Sequence, residues 1–216
     1  QPYAIDALTG ALTALTEIAV GNAPRAAALH PSARFISIPC NADVTVETYA
    51  IDVATGELTL ADIVATSAAP THLTVTASGS HVLAFSAASG TLDTFAVDAL
   101  SGALTLVGSD VLAGNFGAVA FDPRGPYVLG YSTADLRLHG ARVDAPLGAF
   151  ETSASTLSPA AFVGWSAGAD ALDSWAITAA GDLRHVTFEP LVGFSWSSSV
   201  AVGASTGALG VRLRVR

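Results

Sequence analysis

Residues 44–52 alternate in polarity along the chain. Val44, Val46, Thr48 and Ala50 fall on one side, and Thr45, Glu47, Tyr49 and Ile51 on the other. A period of two predicts a half-exposed β-strand. Shorter apolar runs flank it. Residues 25–30 and 34–39 predict two further strands, separated by the turn Pro31-Ser32-Ala33. Cys40-Asn41-Ala42-Asp43 makes the next loop, and Thr55-Gly56 leads into a fourth strand over 58–66. Residues 24–67 therefore predict four antiparallel strands joined by short turns.

That unit recurs. Asp6-Ala7-Leu8-Thr9-Gly10-Ala11-Leu12 returns as Asp52-Val53-Ala54-Thr55-Gly56-Glu57-Leu58 and as Asp98-Ala99-Leu100-Ser101-Gly102-Ala103-Leu104. A worn copy is Asp144-Ala145-Pro146-Leu147-Gly148-Ala149-Phe150, and the glycines at 10, 56, 102 and 148 are each 46 residues apart. A fixed period of this size marks one supersecondary unit repeated. The next glycine in a turn, Gly181, comes after only 33 residues. The fourth unit is therefore expected to have a cut-down first strand, with 162–165 and 174–177 as its middle strands. Residues 191–216 supply three strands, and 11–20 read as a lone fourth. Pairing those ends would close a ring and remove its raw edges. The expectation is one all-β domain over 1–216, a β-propeller of four-stranded antiparallel blades. About five blades are expected: 24–67, 70–113, 115–156, 158–189, and 191–216 closed by 11–20.

Composition narrows the partners. The 216 residues are 51% hydrophobic and 12% charged, which excludes a disordered chain. The net charge is −9, and the nine cations are all Arg. Only Arg212, Arg214 and Arg216 cluster, on one face of an expected strand. Nucleic-acid binding needs a broader basic surface and is not expected. Cys40 is the only cysteine, so no intrachain disulfide forms, and it reads as a small buried hydrophobe. Residues 191–211 carry no charge, but their serines, glycines and threonines argue for β-structure over a membrane span. No signal peptide is legible, and cysteine usage indicates no compartment.

The run Pro24-Arg25-Ala26-Ala27-Ala28-Leu29-His30-Pro31-Ser32-Ala33-Arg34-Phe35 precedes Asp43-Val44-Thr45-Val46-Glu47-Thr48-Tyr49-Ala50-Ile51-Asp52 and Thr55-Gly56-Glu57-Leu58. Together these resemble the lactonase-type β-propellers, which include 6-phosphogluconolactonases and fungal carboxy-muconate cyclases. The likeness covers roughly residues 1–150. It implies four-stranded blades with a Pro-Arg-His start, a His-Pro-Ser-Gly turn, a Tyr-x-Ile-Asp strand end and a Thr-Gly-x-Leu turn. Family members are seven-bladed, so this chain is about two blades short. The resemblance places a functional His at the third residue of the blade start. Here that position holds Ala26, His72 and Ala118, so only Pro70-Thr71-His72 matches. The family's Glu after an Asn has no counterpart in Gly130-Tyr131-Ser132-Thr133.

His72 is accordingly the candidate catalytic residue, a general acid or base near the mouth of a channel. Arg25, one period earlier, is the candidate substrate-binding residue, able to clamp a carboxylate or phosphate; an inter-blade salt bridge is its structural alternative. His30 belongs to the His-Pro turn and reads as structural. His81, His139 and His185 read as unrelated positions in later strands, with no metal-ligand spacing. No metal and no cofactor are expected. The repeated Asp6, Asp52, Asp98 and Asp144 read as turn caps that bond the backbone two residues on. Asp43 and Asp135 read as hairpin residues. Tyr131, Trp165, Trp175, Phe194 and Trp196 read as filling between blades, with a sugar-stacking surface at Trp165 and Trp196 as the alternative. The leading expectation is hydrolysis or cyclisation of a small sugar-acid or dicarboxylate lactone, in active or degenerate form. A non-enzymatic, lectin-like carbohydrate- or protein-binding propeller and a fragment of a longer propeller enzyme are the alternatives. Expected partners are a small-molecule lactone or sugar and a homo-oligomeric copy.

Overall fold

The computed structural model describes residues 2–121, 127–144, 146–157, 162–167, 173–189, 193–196 and 200–201. Among them there are strands and turns and no helix. A two-stranded hairpin pairs β1 (Tyr3–Ile5) with β2 (Leu12–Ala14). The first four-stranded sheet runs β3 (Ala28–Leu29), β4 (Phe35–Cys40), β5 (Thr45–Ile51), β6 (Leu58–Ala65). The second runs β7 (His72–Val75), β8 (His81–Ser86), β9 (Thr91–Val97), β10 (Leu104–Val111). The third runs β11 (Phe116–Phe121), β12 (Tyr127–Ser132), β13 (Arg137–Asp144), β14 (Ala149–Leu157). The fourth runs β15 (Phe162–Ala167), β16 (Asp173–Thr178), β17 (Asp182–Glu189), β18 (Gly193–Trp196), with β19 (Val200–Ala201) also on β17. Four sequential antiparallel meanders of this kind are propeller blades.

The fourth blade differs from the expectation. Its strands β15 and β16 begin 46 residues after β11 and β12, so the period is kept and the first strand is full length. Gly181 lies in the β16–β17 hairpin, between second and third strands. Gly148 lies in a third-to-fourth turn, so the two glycines are not equivalent and their spacing measures nothing. Of the expected fifth blade, Gly193–Trp196 pairs as the outer strand of the fourth sheet, and Leu12–Ala14 pairs with Tyr3–Ile5. Residues 202–216, including Arg212, Arg214 and Arg216, lie outside the described residues.

The third strands also differ. The alternation of residues 44–52 suggested one wet face, yet Val46, Glu47, Thr48 and Tyr49 are all buried. The same holds for Leu92 to Phe95 in β9 and for Leu138 to Ala141 in β13. Each third strand is flanked by two strands of its own sheet and covered on both faces. Among the buried polar side chains, Ser37 and Thr48 share a hydrogen bond of 3.0 Å, whereas the Thr45 and Thr94 hydroxyls find no partner. Exposure is carried by the fourth strands, where Leu60, Ile63 and Leu106 are about half accessible.

Two compact units divide the chain. One comprises Gln1–Phe85 and Asp93–Val107, the other Ser86–Leu92 and Gly108–Arg216. The core of the first joins Val46 of β5 to Val82, Ala84, Phe95 and Leu104 of the second sheet. The core of the second joins Tyr131 and Leu138 to Phe162, Ala176 and Val186. Tyr131 meets Phe162 edge-on, with centroids 5.6 Å apart. Such a pair is worth about 0.5–1.5 kcal/mol beyond its burial. Within each unit an Asp of one fourth strand accepts an N–H at the start of the next. Asp62 takes Leu104 N at 2.7 Å, and Asp110 takes Phe150 N at 2.9 Å.

The repeated Asp caps its turn as the sequence implies. Asp52 Oδ1 accepts the N–H groups of Ala54 (2.8 Å) and Thr55 (3.0 Å), and Asp98 does the same for Leu100 (2.9 Å) and Ser101 (2.8 Å). These bonds, first those from Thr55 and Ser101, hold both carboxyls below the ordinary Asp value. The glycine of each turn has positive φ: 71° at Gly10, 76° at Gly56, 77° at Gly102 and 64° at Gly148.

The hairpin between second and third strands also needs a left-handed residue. Gly90 (φ 72°) and Gly181 (φ 87°) supply it freely, whereas Val44 (φ 57°) and Leu136 (φ 56°) take it against their side chains. A β-branched residue in that region is strained by roughly 1–2 kcal/mol. Val44→Gly is therefore expected to stabilise the protein by about 0.5–1 kcal/mol, after the entropy cost of glycine. At Gly90 an added Cβ would lie 1.8 Å from the Leu112 carbonyl oxygen. Gly90→Ala is expected to destabilise by roughly 2–4 kcal/mol. Urea denaturation of the two variants checks both signs.

Candidate active site

The first strands of blades one and two begin differently, and proline is the reason. Pro39, opposite the start of that strand, has no N–H to donate, and β3 starts only at Ala28. Ahead of it, Pro24 bridges Cys40 and Arg25 N donates to Pro39 O at 2.9 Å. Blade two has Phe85 where blade one has Pro39. Its ladder is regular from the first residue, with His72 paired to Phe85. Thr71 N donates to Phe85 O at 2.9 Å, as Arg25 N does to Pro39 O. Thr71 is thus the equivalent of Arg25, and His72 the equivalent of Ala26.

The two sequence-derived site residues both belong to the first unit. His72 is part-buried, and its imidazole pKa is lowered, first by that burial and then by the charge of Arg25. Arg25 itself is exposed. Thr71, the residue before it, orients the ring. Its hydroxyl donates its single hydrogen to Phe85 O (3.1 Å), so at 2.9 Å it accepts from His72 Nδ1–H. A neutral His72 then carries its lone pair on Nε2. The Pro70-Thr71-His72 order was the available signal: a hydroxyl directly before the imidazole.

His30 has the opposite tautomer and a structural task. Ser32 N donates to its Nδ1 (3.1 Å), and its Nε2 reaches the Gly79 carbonyl oxygen in the corresponding turn of blade two (2.8 Å). His81 bonds Ser80 Oγ through Nδ1 at 2.8 Å. His185 lies against Trp175 with ring centroids 4.9 Å apart. Cys40 is fully buried, and its thiol pKa is raised, first by that burial. The backbones of Trp165 and Trp196 lie in β15 and β18. Among the described residues, no three His, Cys, Asp or Glu side chains are grouped so as to hold a metal ion.

A second set of polar residues emerges from register alone. Glu47 pairs with Ile38, His139 with Gly130 and Arg184 with Ala176, the same place in each sheet. The period adds Asp93 in blade two. His185 is 46 residues after His139, but the β16–β17 hairpin is one residue shorter, so Arg184 takes the equivalent place. Glu47 Oε2 accepts Gly21 N at 3.2 Å, and Asp93 Oδ2 accepts Ser67 N at 2.6 Å. Each carboxyl grips the segment leading into its blade. Tyr49 adds its hydroxyl to Glu47 at 2.5 Å, and burial together with this partner drives its pKa well up. Composition could not single these residues out, because an acidic residue in an alternating strand reads as facing solvent.

Comparison with known proteins bears on this architecture. Residues 45–121 match the family model described as lactonase, 7-bladed beta-propeller. Over that stretch the repeat is similar to that of the lactonase-type β-propellers. No curated protein matches the sequence. Solved structures match this propeller's fold at low identity. A candidate 6-phosphogluconolactonase from Bacteroides uniformis matches with a TM-score of 0.78 and 12% identity, over 94% of this chain and 65% of its own. The periplasmic gluconolactonase of Pseudomonas aeruginosa matches with a TM-score of 0.72 and 19% identity, over 94% and 63%. A Desulfotomaculum acetoxidans protein matches with a TM-score of 0.75 and 10% identity, over 97% and 65%. The chain thus spans less than two thirds of the length of each.

Thr71→Val removes the acceptor for His72 Nδ1–H while keeping the side-chain shape. The expected outcome is a mixed tautomer at His72 in ¹⁵N spectra of the imidazole, with an unchanged fold. A ring that keeps its proton on Nδ1 would show that Thr71 does not set it.

Proposed function

We propose that this propeller processes small anionic lactones, sugar-acid or dicarboxylate, with His72 as the proton-transfer group and Arg25 as the anion clamp. The observation that carries the reading is a part-buried imidazole held by the Thr71 hydroxyl, its pKa lowered first by burial and then by the charge of Arg25. In hydrolysis, Nε2 takes a proton from water as the oxygen attacks the lactone carbonyl carbon. The ring C–O bond then breaks, and the imidazolium returns the proton to the departing ring oxygen. Water and lactone give one hydroxy acid, and His72 is regenerated. Cyclisation is the same path reversed. Arg25 orients the substrate carboxylate or phosphate bidentately, and its charge favours the neutral imidazole that a base requires. The lactonase-type repeat and the fold of the gluconolactonases agree with this chemistry.

A second reading, a lectin-like or protein-binding module, is favoured by Ala26 at the position equivalent to His72. It predicts several equivalent weak sites, seen as a stoichiometry above one in glycan titration. A third, that the chain is a portion of a longer propeller enzyme, is favoured by its span against the solved structures. An intact mass of the source protein decides that point.

His72→Ala is expected to lower turnover of an aldonolactone or muconolactone panel by about 10²–10⁴-fold, the usual worth of a positioned general base. Unchanged turnover would overturn the assignment. The rate of the unmodified protein should rise with pH through the lowered His72 pKa, where the ring loses its proton. Arg25→Gln removes the neighbouring cation, so this rising limb should move to higher pH while KM for the anionic substrate increases. A limb that stays in place would separate Arg25 from His72.

A further inference from the structure

Residues 41–43, in the hairpin between β4 and β5, grip the segment that leads to Arg25. Asn41 N donates to Ala23 O at 3.1 Å, and Ala42 N to Asn22 O at 3.3 Å. In return Asn22 donates to Asp43 from its backbone N–H (2.6 Å) and from its Nδ2 (2.8 Å). These bonds, the side-chain one first, hold the Asp43 carboxyl below the ordinary Asp value. A further bond leaves this hairpin for the next blade: Asn41 Nδ2 donates to Pro70 O at 3.1 Å. Pro70 is buried and stands two residues before His72. All of these residues belong to the first unit, where β7 lies against β3 and β4.

We infer that Asn41 is a positioning residue for His72 and Arg25: its backbone fixes the segment that carries Arg25, its side chain fixes the peptide that precedes His72, and the two bonds together set the separation of guanidinium and imidazole. The inference rests on the reading of those two residues as the site. The peptide between Pro70 and Thr71 is planar, so its N–H and C=O point in opposite directions. Thr71 N–H goes into the sheet, to Phe85 O at 2.9 Å. The Pro70 carbonyl therefore points out of that ladder, where Asn41 takes it, and the peptide is held at both ends. Proline has no N–H, so this carbonyl is the backbone handle that Pro70 offers. The opposite assignment of the Asn41 amide would set its oxygen against the carbonyl oxygen. The sister blades hold other residues at this place, Ala87 in blade two and Thr133 in blade three. Alanine has no side-chain donor. Thr133 sends its N–H (2.8 Å) and its hydroxyl (3.0 Å) back to Asn115 O, in the segment leading into its own blade. The crossing bond thus belongs to the blade start that carries His72.

Titration of the His72 imidazole, followed by NMR, tests this without any turnover. The midpoint is measured in the unmodified protein, in Arg25→Gln, in Asn41→Ala and in the double variant. Arg25→Gln is expected to raise the midpoint in the unmodified background, because the cation that lowers it is gone. In the Asn41→Ala background that upward shift is expected to fall by about half or more, because a charge acts less from a greater separation. Asn41→Ala leaves the charge of the site unchanged, so a structural role alone would move the melting temperature and not the size of the Arg25 effect. Alanine is native to the equivalent position of blade two, and circular dichroism confirms the fold. If Asn41→Ala does not fold, Asn41→Thr, after blade three, takes its place. An Arg25→Gln shift of equal size in both backgrounds would overturn the proposal. A midpoint that Arg25→Gln leaves unmoved in the unmodified background would do the same. Absence of lactone turnover would overturn the proposed function alone.

Discussion

A carboxyl group buried in the middle of a sheet must find hydrogen-bond donors, and the first two blades are organised by how they find them. The donors are backbone N–H groups on the segments leading into each blade, Gly21 for Glu47 and Ser67 for Asp93. Leaving such a group unpartnered costs more than the bond itself contributes, so the segment and the strand are held in one relation. Four residues beyond each anchor the chain reaches Arg25 and Thr71, and the next residue after Thr71 is His72. The proton-transfer candidate and its cationic neighbour are thus positioned by a constraint located in the third strand. Where the carboxyl is replaced, at His139, the imidazole turns instead to Asp135 within its own hairpin.

Backbone demands account for most of the repeat. The Asp-x-x-Thr-Gly-x-Leu turn recurs because it needs an acceptor at its first residue and a left-handed residue near its end. It is a rim element and carries no chemistry. The second-to-third hairpin has the same left-handed demand at 44, 90, 136 and 181, but only two of those four residues are glycine. A pattern search by residue type finds the first turn and misses the second, which explains why Gly181 suggested a shortened blade. The strand starts show none.

Chemistry at the blade starts was partly legible. His72 stands out against Ala26 and Ala118 once the period is known, and Arg25 is the one cation at an equivalent blade start. The effect of the Arg25 charge on His72 was not legible, because the two are 47 residues apart in sequence. Nor was the tautomer of His72, which depends on where the Thr71 hydroxyl sends its hydrogen.

The sequence by itself determined the period, the four-stranded unit, the capping of the repeated turn and the singularity of His72. All of these rest on local rules: alternation within a strand, turn chemistry, and identity at a fixed spacing. Only the tertiary structure decided which faces are wet, where the fourth blade begins, and what the third-strand polar residues do. Those outcomes depend on packing between sheets and on hydrogen bonds from segments that are distant in sequence. A strand buried on both faces and one buried on a single face can carry the same alternation, and contact alone tells them apart.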